Sequence, residues 1–255
     1  DLERTSDWIR RLVDQEDVWE MLADRGGAVF ESHPEVAGFR ALYCEALLRA
    51  DRNAEAIEQL ERAVALADGD PAELQFFLST AYGSTGRLAD AAELSTALLE
   101  RFPEHAGLLN LLGETHALRG QVVEAVVSLL QAVDAFGTDL AARDRRDGLR
   151  LRAASLLIGD DRFDDARTVL GTVEAPDDPQ AIEVRAVLEL RAGNDKAARR
   201  AIRELREAWG TSIAVADMLE GEALVRSGRD AKARESFERS AEVLGSQVLA
   251  RGAEL

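Results

Sequence analysis

The residue types that most often carry chemistry are scarce in this chain. It has three histidines, His33, His105 and His116, and a single cysteine, Cys44, in 255 residues. No histidine has a second histidine or a cysteine at metal-ligand spacing, and carboxylates are too abundant for their proximity to count as a signal. One cysteine excludes a disulfide framework and any cysteine-based zinc or iron–sulfur site. We therefore expect no metal and no cofactor.

Motifs of common catalytic sites are also missing from the sequence. There is no P-loop, dinucleotide-binding fingerprint or Gly-x-Ser-x-Gly elbow. The acid pairs Asp160-Asp161 and Asp177-Asp178 fall in predicted turns, where aspartate is favoured for its local hydrogen bonds. We predict that the protein is not an enzyme.

The composition limits the classes of molecule that the protein is expected to bind. There are 48 acidic and 31 basic residues, a formal charge of −17, and 46% hydrophobic residues. This balance indicates a folded, soluble chain and disfavours nucleic acid, because binding to phosphates needs a surplus of Lys and Arg. No apolar run approaches the roughly 20 residues that span a bilayer, so we expect no membrane insertion.

Three columns of residues recur along the chain, which indicates internal repeats. The first column is alanine: Ala56, Ala91, Ala125, Ala166, Ala198 and Ala233. The second column lies twelve positions earlier each time and consists of residues with small side chains: Cys44, Ser79, Gly113, Ala154, Ala186 and Gly221. Between them lie turn residues: Asp51, Gly86, Gly120, Asp161, Gly193 and Gly228. The unit is about 34 residues long, with one longer interval between Ala125 and Ala166.

The segments between the turns have helical periodicity. One of them carries the apolar residues Val122, Ala125, Val126, Leu129, Leu130 and Val133. These fall at i, i+3 and i+4 spacing, and no segment shows sustained alternation with β-branched enrichment. Each unit is thus predicted to be a helix–turn–helix, in an all-α protein. Small residues at both columns would let the two helices of a unit approach closely where they cross.

Two consecutive units carry a known signature. The first has Leu78, Ser79, Tyr82, Gly86, Ala91 and Pro103 in that order. The next has Leu112, Gly113, Gly120, Ala125 and Ala132. In this order they resemble the tetratricopeptide repeat (TPR), although His116 replaces the usual aromatic residue. The resemblance covers residues 36–245 and implies a right-handed α-solenoid of tandem helix-turn-helix repeats.

Three positions depart from the family pattern. Arg185 and Glu220 stand where the family usually has a large apolar residue, and Asp161 stands where glycine is common. We expect the units concerned to be tilted or less tightly packed.

The resemblance divides the chain into repeats and two ends. Residues 1–35 are predicted to be a degenerate N-terminal repeat or cap, and 246–255 the start of a C-terminal capping helix. The six repeats between them are predicted at 36–70, 71–105, 106–138, 139–178, 179–212 and 213–245.

Several local features qualify this division. Trp8, Ile9 and Leu12 would form the first helix of the N-terminal repeat, and Gly26-Gly27 would break its second helix. Gly245-Ser246 is typical of a helix stop followed by a new N-cap. The long interval is predicted to hold one longer helix, Leu140 to Leu157, opened by Thr138 or Asp139. The chain begins at Asp1 instead of Met, so we expect it to be a trimmed fragment.

Two arginine-rich segments admit two interpretations. One lies within Arg143–Arg152 and the other runs from Lys196 to Arg206. Either could be a docking patch for a phosphate or an acidic partner. We favour mixed-charge helix faces whose neighbouring acids, such as Glu204 and Glu207, form local ion pairs.

The resemblance also implies where a partner would bind, because the first helices of such repeats line a concave groove. The groove residues implied are Glu45, Phe76, Phe77, Thr80, Asn110, Glu114, Ser155, Glu183, Met218 and Glu222. Phe77 is assigned equally to the groove or to the core. Family members that clamp a C-terminal carboxylate use Lys, Arg and Asn there. This chain offers Asn110 and Arg152 but no basic pair in adjacent units, which argues against that activity.

The polar groove residues include four glutamates and no lysine. A partner segment with Lys or Arg beside hydrophobic anchors would suit such a groove. Alternatively, the acidity reflects only the overall charge of the chain.

The function predicted from these features is that of a non-catalytic protein-binding scaffold or adaptor. The first alternative is the interaction or substrate-presenting arm of a larger bacterial enzyme, envelope-polymer or secretion assembly machine. The second is a signal-responsive regulator with an adjoining DNA-binding domain. Lys196 and Lys232 are the only lysines, and this arginine and alanine usage is typical of a GC-rich bacterial gene. Homo-oligomerisation stays open, and a cytoplasmic location is favoured over a periplasmic one.

Overall fold

The computed structural model describes residues 16–32, 37–67, 69–208 and 213–253, and over these ranges all regular structure is helical. The helices are α1 Glu16–Ser32, α2 Ala37–Arg49, α3 Asn53–Ala65, α4 Ala72–Ser84, α5 Leu88–Arg101, α6 Ala106–Leu118, α7 Val122–Ala135, α8 Arg143–Gly159, α9 Phe163–Leu170, α10 Pro179–Arg191, α11 Asp195–Ala208, α12 Ile213–Arg226 and α13 Asp230–Ala253. A 3₁₀ turn, Leu140–Ala142, precedes α8. Of the helices described, none is both long enough and apolar enough to cross a membrane.

The chain divides into two compact units, residues 1–135 and 136–255. In the first unit α1 packs on α2, and the pairs α2–α3, α4–α5 and α6–α7 each pack together. In the second unit the pairs are α8–α9, α10–α11 and α12–α13. Each pair is joined by a short turn, and we call its members the first and the second helix.

All six predicted turn residues have a positive φ. The values are 56° and 57° at Asp51 and Asp161, and lie between 68° and 78° at the four glycines. At each turn, the N–H of the following residue bonds a carbonyl five positions back, as Arg87 N–H does to Tyr82 O at 2.8 Å. This is the Schellman arrangement, in which a left-handed residue ends the helix and its last carbonyls are satisfied. The glycine and aspartate column therefore marks the ends of the first helices.

The two small columns lie at the contact between the paired helices. All twelve residues are buried. At Gly113 an added Cβ would lie 2.9 Å from Leu129 Cγ and 3.2 Å from the backbone oxygen of Ala125. At Gly221 it would lie 2.5 Å from the ring of Phe237. The packing reason inferred from the sequence is confirmed at these positions.

The prediction that Gly26-Gly27 breaks a helix is wrong. Helix α1 continues through both glycines. A Cβ at Gly26 would lie 2.5 Å from Cδ2 of Tyr43 on α2, so the glycine makes room for that ring. Tyr43 is buried, and its packing offsets the helix propensity that glycine loses, about 0.5–1 kcal/mol relative to alanine.

Two further helix ends differ from expectation. Helix α13 runs from Asp230 to Ala253, through the stop predicted at Gly245-Ser246. Glycine ends a helix by taking a positive φ, whereas the backbone here stays helical. In the long interval, the Asp139 side chain accepts a hydrogen bond from Ala141 N–H and opens the 3₁₀ turn, so α8 begins at Arg143 instead of Leu140. Trp8, Ile9, Leu12 and His33 lie outside the described residues.

Candidate partner-binding surfaces

The residues predicted to bind a partner follow one rule of position. Each lies three residues before or one residue after the small column of a first helix, except for Phe77. Within the first unit, α2 contacts α4 and α4 contacts α6, so Glu45, Phe76, Thr80, Asn110 and Glu114 lie on neighbouring first helices. Within the second unit, α8 contacts α10 and α10 contacts α12, so Ser155, Glu183, Met218 and Glu222 lie on neighbouring first helices. We call these sets the first-helix surfaces of the two units.

An aromatic cluster lies on the surface of the first unit. The Phe76 ring is half-buried, with its centroid 5.8 Å from that of Phe77 and 5.2 Å from that of His105. His105 also caps α6, since its Nδ1 accepts the N–H of Leu108 at 3.1 Å. Both rings are half-buried, and Phe77 packs against the buried core. Phe76 therefore has the better claim to contact a partner.

The polar side chains beside this cluster differ in how they are satisfied. The Thr80 hydroxyl donates to the backbone oxygen of Phe76 at 3.1 Å. The Oδ1 atom of Asn110 is buried and accepts no hydrogen bond from any described residue. An unsatisfied buried carbonyl costs about 1–3 kcal/mol.

Glu45 does not offer a free charge to a partner. Its Oε1 accepts a hydrogen bond from Arg49 at 2.9 Å, in an i, i+4 ion pair. The Arg49 guanidinium also lies 4.2 Å from the ring centroid of Trp19. The acidity expected at this end of the surface is therefore neutralised by the same helix.

Glu183 on α10 is in the opposite situation. Its side chain is partly buried, and burial raises the pKa of the carboxyl above its ordinary value. No described side chain donates a hydrogen bond or an ion pair to it. On the neighbouring α12, Met218 is 41% exposed and Glu222 is exposed. The Ser155 hydroxyl is already used, since it donates to Leu151 O at 2.8 Å. The surface of the second unit is thus acidic beside an exposed thioether.

The first arginine-rich segment is tied into the protein's own structure. Arg146 donates from Nε and Nη2 to the two carboxylate oxygens of Glu174, at 2.8 and 2.9 Å. Arg150 bridges Asp147 and Glu174, both at 2.8 Å. Asp147 in turn accepts the backbone N–H groups of Glu174 and Ala175. This network, the Glu174 clamp, fastens the α9–α10 connection to α8. The sequence contains no signal for Glu174, because it lies 28 positions from Arg146.

The second arginine-rich segment is only partly explained by local pairs. Glu204 accepts from Arg200, in an i, i+4 pair at 2.9 Å, and from Arg185 on α10 at 2.6 Å. Arg206 instead reaches α12, where it donates to Asp217 at 2.6 Å and to Glu220 at 3.0 Å. The two departures from the family pattern, Arg185 and Glu220, are thus the polar ends of ion pairs between neighbouring helices.

Cys44 and His116, whose residue types could have carried chemistry, have structural roles instead. Cys44 is fully buried, and burial raises its pKa to about 12. The Nδ1 atom of His116 shares a hydrogen bond with Gln121 Oε1 at 3.0 Å. Across the described part of the chain, no three His, Cys, Asp or Glu side chains are grouped so that they could hold a metal ion.

The comparison with known proteins finds one matching family model and several similar solved structures. The family model for the tetratricopeptide repeat matches residues 78–141. No curated protein matches the chain significantly.

Solved structures match over much greater lengths. A tetratricopeptide repeat protein from Parabacteroides merdae superposes with a TM-score of 0.63 at 18% identity, over 95% of this chain and 91% of that one. The C-terminal part of a TPR repeat-containing protein from Cytophaga hutchinsonii gives 0.68 at 10% identity, over 94% and 95%. YrrB, described as a TPR protein with an unusual peptide-binding site, gives 0.52 at 17% identity, over 78% and 98%. With the repeated columns and the helix pairs, these matches show that the chain has the fold of a tetratricopeptide repeat protein, and residues 78–141 match the model of that family.

Proposed function

We propose that this protein is a non-catalytic interaction scaffold that holds a segment of a partner protein on its first-helix surfaces. The fold supports this, because stacked helix pairs present extended binding faces. YrrB, which shares the fold, is described as having a peptide-binding site. A shared fold alone does not assign a function, so the proposal rests on the side chains of the two surfaces. The scaffold would consist of the six repeats at 36–70, 71–105, 106–138, 139–178, 179–212 and 213–245.

The partner segment is proposed to carry Lys or Arg beside hydrophobic anchors. The basic character of the partner is inferred from Glu183, which is a partly buried carboxylate without a cationic partner among the described residues. Burying an unpaired charge is unfavourable, and a cation from a partner would compensate it. Met218 and Glu222 on the adjacent helix supply an apolar contact and a second negative charge. On the first unit, Phe76 offers an aromatic contact.

The test begins with panning a random peptide library against the protein. Enriched peptides should combine Lys or Arg with Leu, Ile or Phe. One of them, labelled with a fluorophore, then reports affinity by anisotropy. Glu183→Gln keeps the shape and removes the charge, so we expect affinity to fall about tenfold. Glu93→Gln, at an exposed site on the second helix α5, is the matched control and should change affinity less than twofold.

The same variant separates binding from folding. A pKa that is raised by folding means that the ionised carboxylate destabilises the folded state at pH 7, and that protonation below the unfolded pKa removes the penalty. Glu183→Gln should therefore keep or raise the melting temperature at pH 7 while it weakens binding. Equal affinity and salt dependence of the wild type and a Glu114→Arg, Glu222→Arg variant would reject electrostatic recognition on these surfaces.

A further inference from the structure

A small basic cavity lies in the second unit, between α11 and α12. Its volume is about 160 Å³, and its lining includes four arginines: Arg199, Arg203, Arg206 and Arg229. The first three lie on α11 at spacings of four and three residues, so they share one face of that helix. Arg229 comes from the turn before α13. Four arginines around one cavity are unexpected in a chain of formal charge −17.

Of these four arginines, the acids of the described residues pair only with Arg206. Glu220 is the only carboxylate in the described lining, and it already accepts from Arg206 at 3.0 Å and from Arg239 at 3.5 Å. Among the described residues, no carboxylate forms an ion pair with Arg199, Arg203 or Arg229. The local pairing expected from Glu204 does not reach them, because Glu204 binds Arg185 and Arg200. The cavity therefore keeps an uncompensated positive charge.

This site is separate from the first-helix surface of the same unit. Glu220 and Leu224 line the cavity from α12, four residues apart and on one side of the helix. Met218 and Glu222 belong to the other side of α12, at 3.6 residues per turn. A ligand in the cavity would thus contact the second helix α11, which contributes nothing to the first-helix surface.

We infer that this cavity binds one anionic side chain of a protein segment, either a carboxylate or a phosphoryl group. Guanidinium groups pair with both in bidentate fashion. A cavity of 160 Å³ is below the 300 Å³ or so at which sites for drug-sized molecules begin, and it suits a single side chain. Ile202 and Leu224 in the lining add apolar contact for the methylene stem of that side chain.

The inference is tested with three peptides that differ at one residue, Glu, phosphoserine or Gln, beside a fixed leucine. Binding to the whole protein is followed by the NMR signals of the arginine Nε–Hε groups. The Glu or the phosphoserine peptide should shift the signals of Arg199 and Arg203, and the stronger of the two identifies the anion. The Gln peptide should bind at least about tenfold more weakly, the loss of one charge-assisted interaction.

Two double variants serve as test and control. Arg199→Gln with Arg203→Gln should weaken the anionic peptides about tenfold. Arg62→Gln with Arg119→Gln makes the same change of charge at exposed sites of the first unit and should leave affinity within twofold. Circular dichroism confirms that both variants are folded. Equal binding of the Gln peptide, or an equal loss in both double variants, would overturn the inference and leave only unspecific attraction to surface charge.

Discussion

The hydroxyl of Ser79 on α4 donates a hydrogen bond to the backbone oxygen of Ala91 on α5, at 3.1 Å. Both residues are fully buried, and Ser79 Oγ also lies 2.6 Å from Ser95 Oγ. A side chain as short as serine reaches the backbone of the partner helix only where the two helices nearly touch. In the next repeat the same two positions are Gly113 and Ala125, and at Gly113 there is no room even for a Cβ. The residues of the two small columns, which are twelve positions apart, thus mark the contact point of each helix pair.

Enlarging this contact should destabilise the protein. We expect Ala125→Leu to lower the free energy of unfolding by about 1–3 kcal/mol, because the added carbons overpack a crossing that has no space. Urea unfolding followed by circular dichroism measures the change. Val127→Leu, at a site on the same helix that is 49% exposed, should stay within about 0.5 kcal/mol of the wild type. If the two variants were equally stable, α6 and α7 would not cross at Ala125.

Replacing each of two glycines with alanine should change the free energy of unfolding in opposite directions. Gly86 has a φ of +78° at a helix end, so Gly86→Ala forces a left-handed conformation and should cost about 1–2 kcal/mol. Gly148 lies within α8, and an added Cβ there would meet no atom within 4 Å. Gly148→Ala should raise stability by about 0.5–1 kcal/mol through helix propensity. Chemical denaturation of both variants checks the pair, and a shift of the same sign in both would contradict it.

The Glu174 clamp should make the free energy of unfolding depend on pH in the acidic range. The hydrogen bonds from Arg146 and Arg150 lower the pKa of Glu174 to about 2. Because the folded-state pKa lies below the unfolded value of about 4.3, the contribution is present above that value and is lost as the pH falls towards 2. Unfolding measured from pH 7 to 2.5 should show a shallower fall of stability for Glu174→Gln than for the wild type. Glu104→Gln, in an exposed turn, should retain the wild-type slope.

Cys44 should be chemically silent in the folded protein. It is fully buried, and its pKa of about 12 keeps it a thiol at neutral pH. Since the thiolate is the reactive form, a chromogenic disulfide reagent at pH 8 should detect no thiol in the native state and one in denaturant. Rapid labelling of the native protein would mean that the contact between α2 and α3 opens readily.

The sequence by itself determined the repeat unit, the helix pairs and the turns. These features depend on residues close together in the chain: a positive φ needs Gly or Asp at one position, as at Gly86 and Asp161, and a helix crossing needs small residues twelve positions apart. The same local reasoning failed at Gly26, where a helix-breaking pair is kept helical by the packing of Tyr43 from another helix.

Only the tertiary structure decided which charges are compensated. The Glu174 clamp joins residues 28 positions apart, and Arg206 leaves its own helix for Asp217 and Glu220. Among the residues that the structure describes, none pairs a cation with Glu183 on one side of the second unit or an acid with Arg199, Arg203 and Arg229 on another. Long side chains choose partners by distance in space, and charge pairing depends on burial as well as proximity. Neither distance nor burial can be read from the order of the residues. The sequence therefore named candidate residues for both sites, and only the packed helices showed which of their charges are paired.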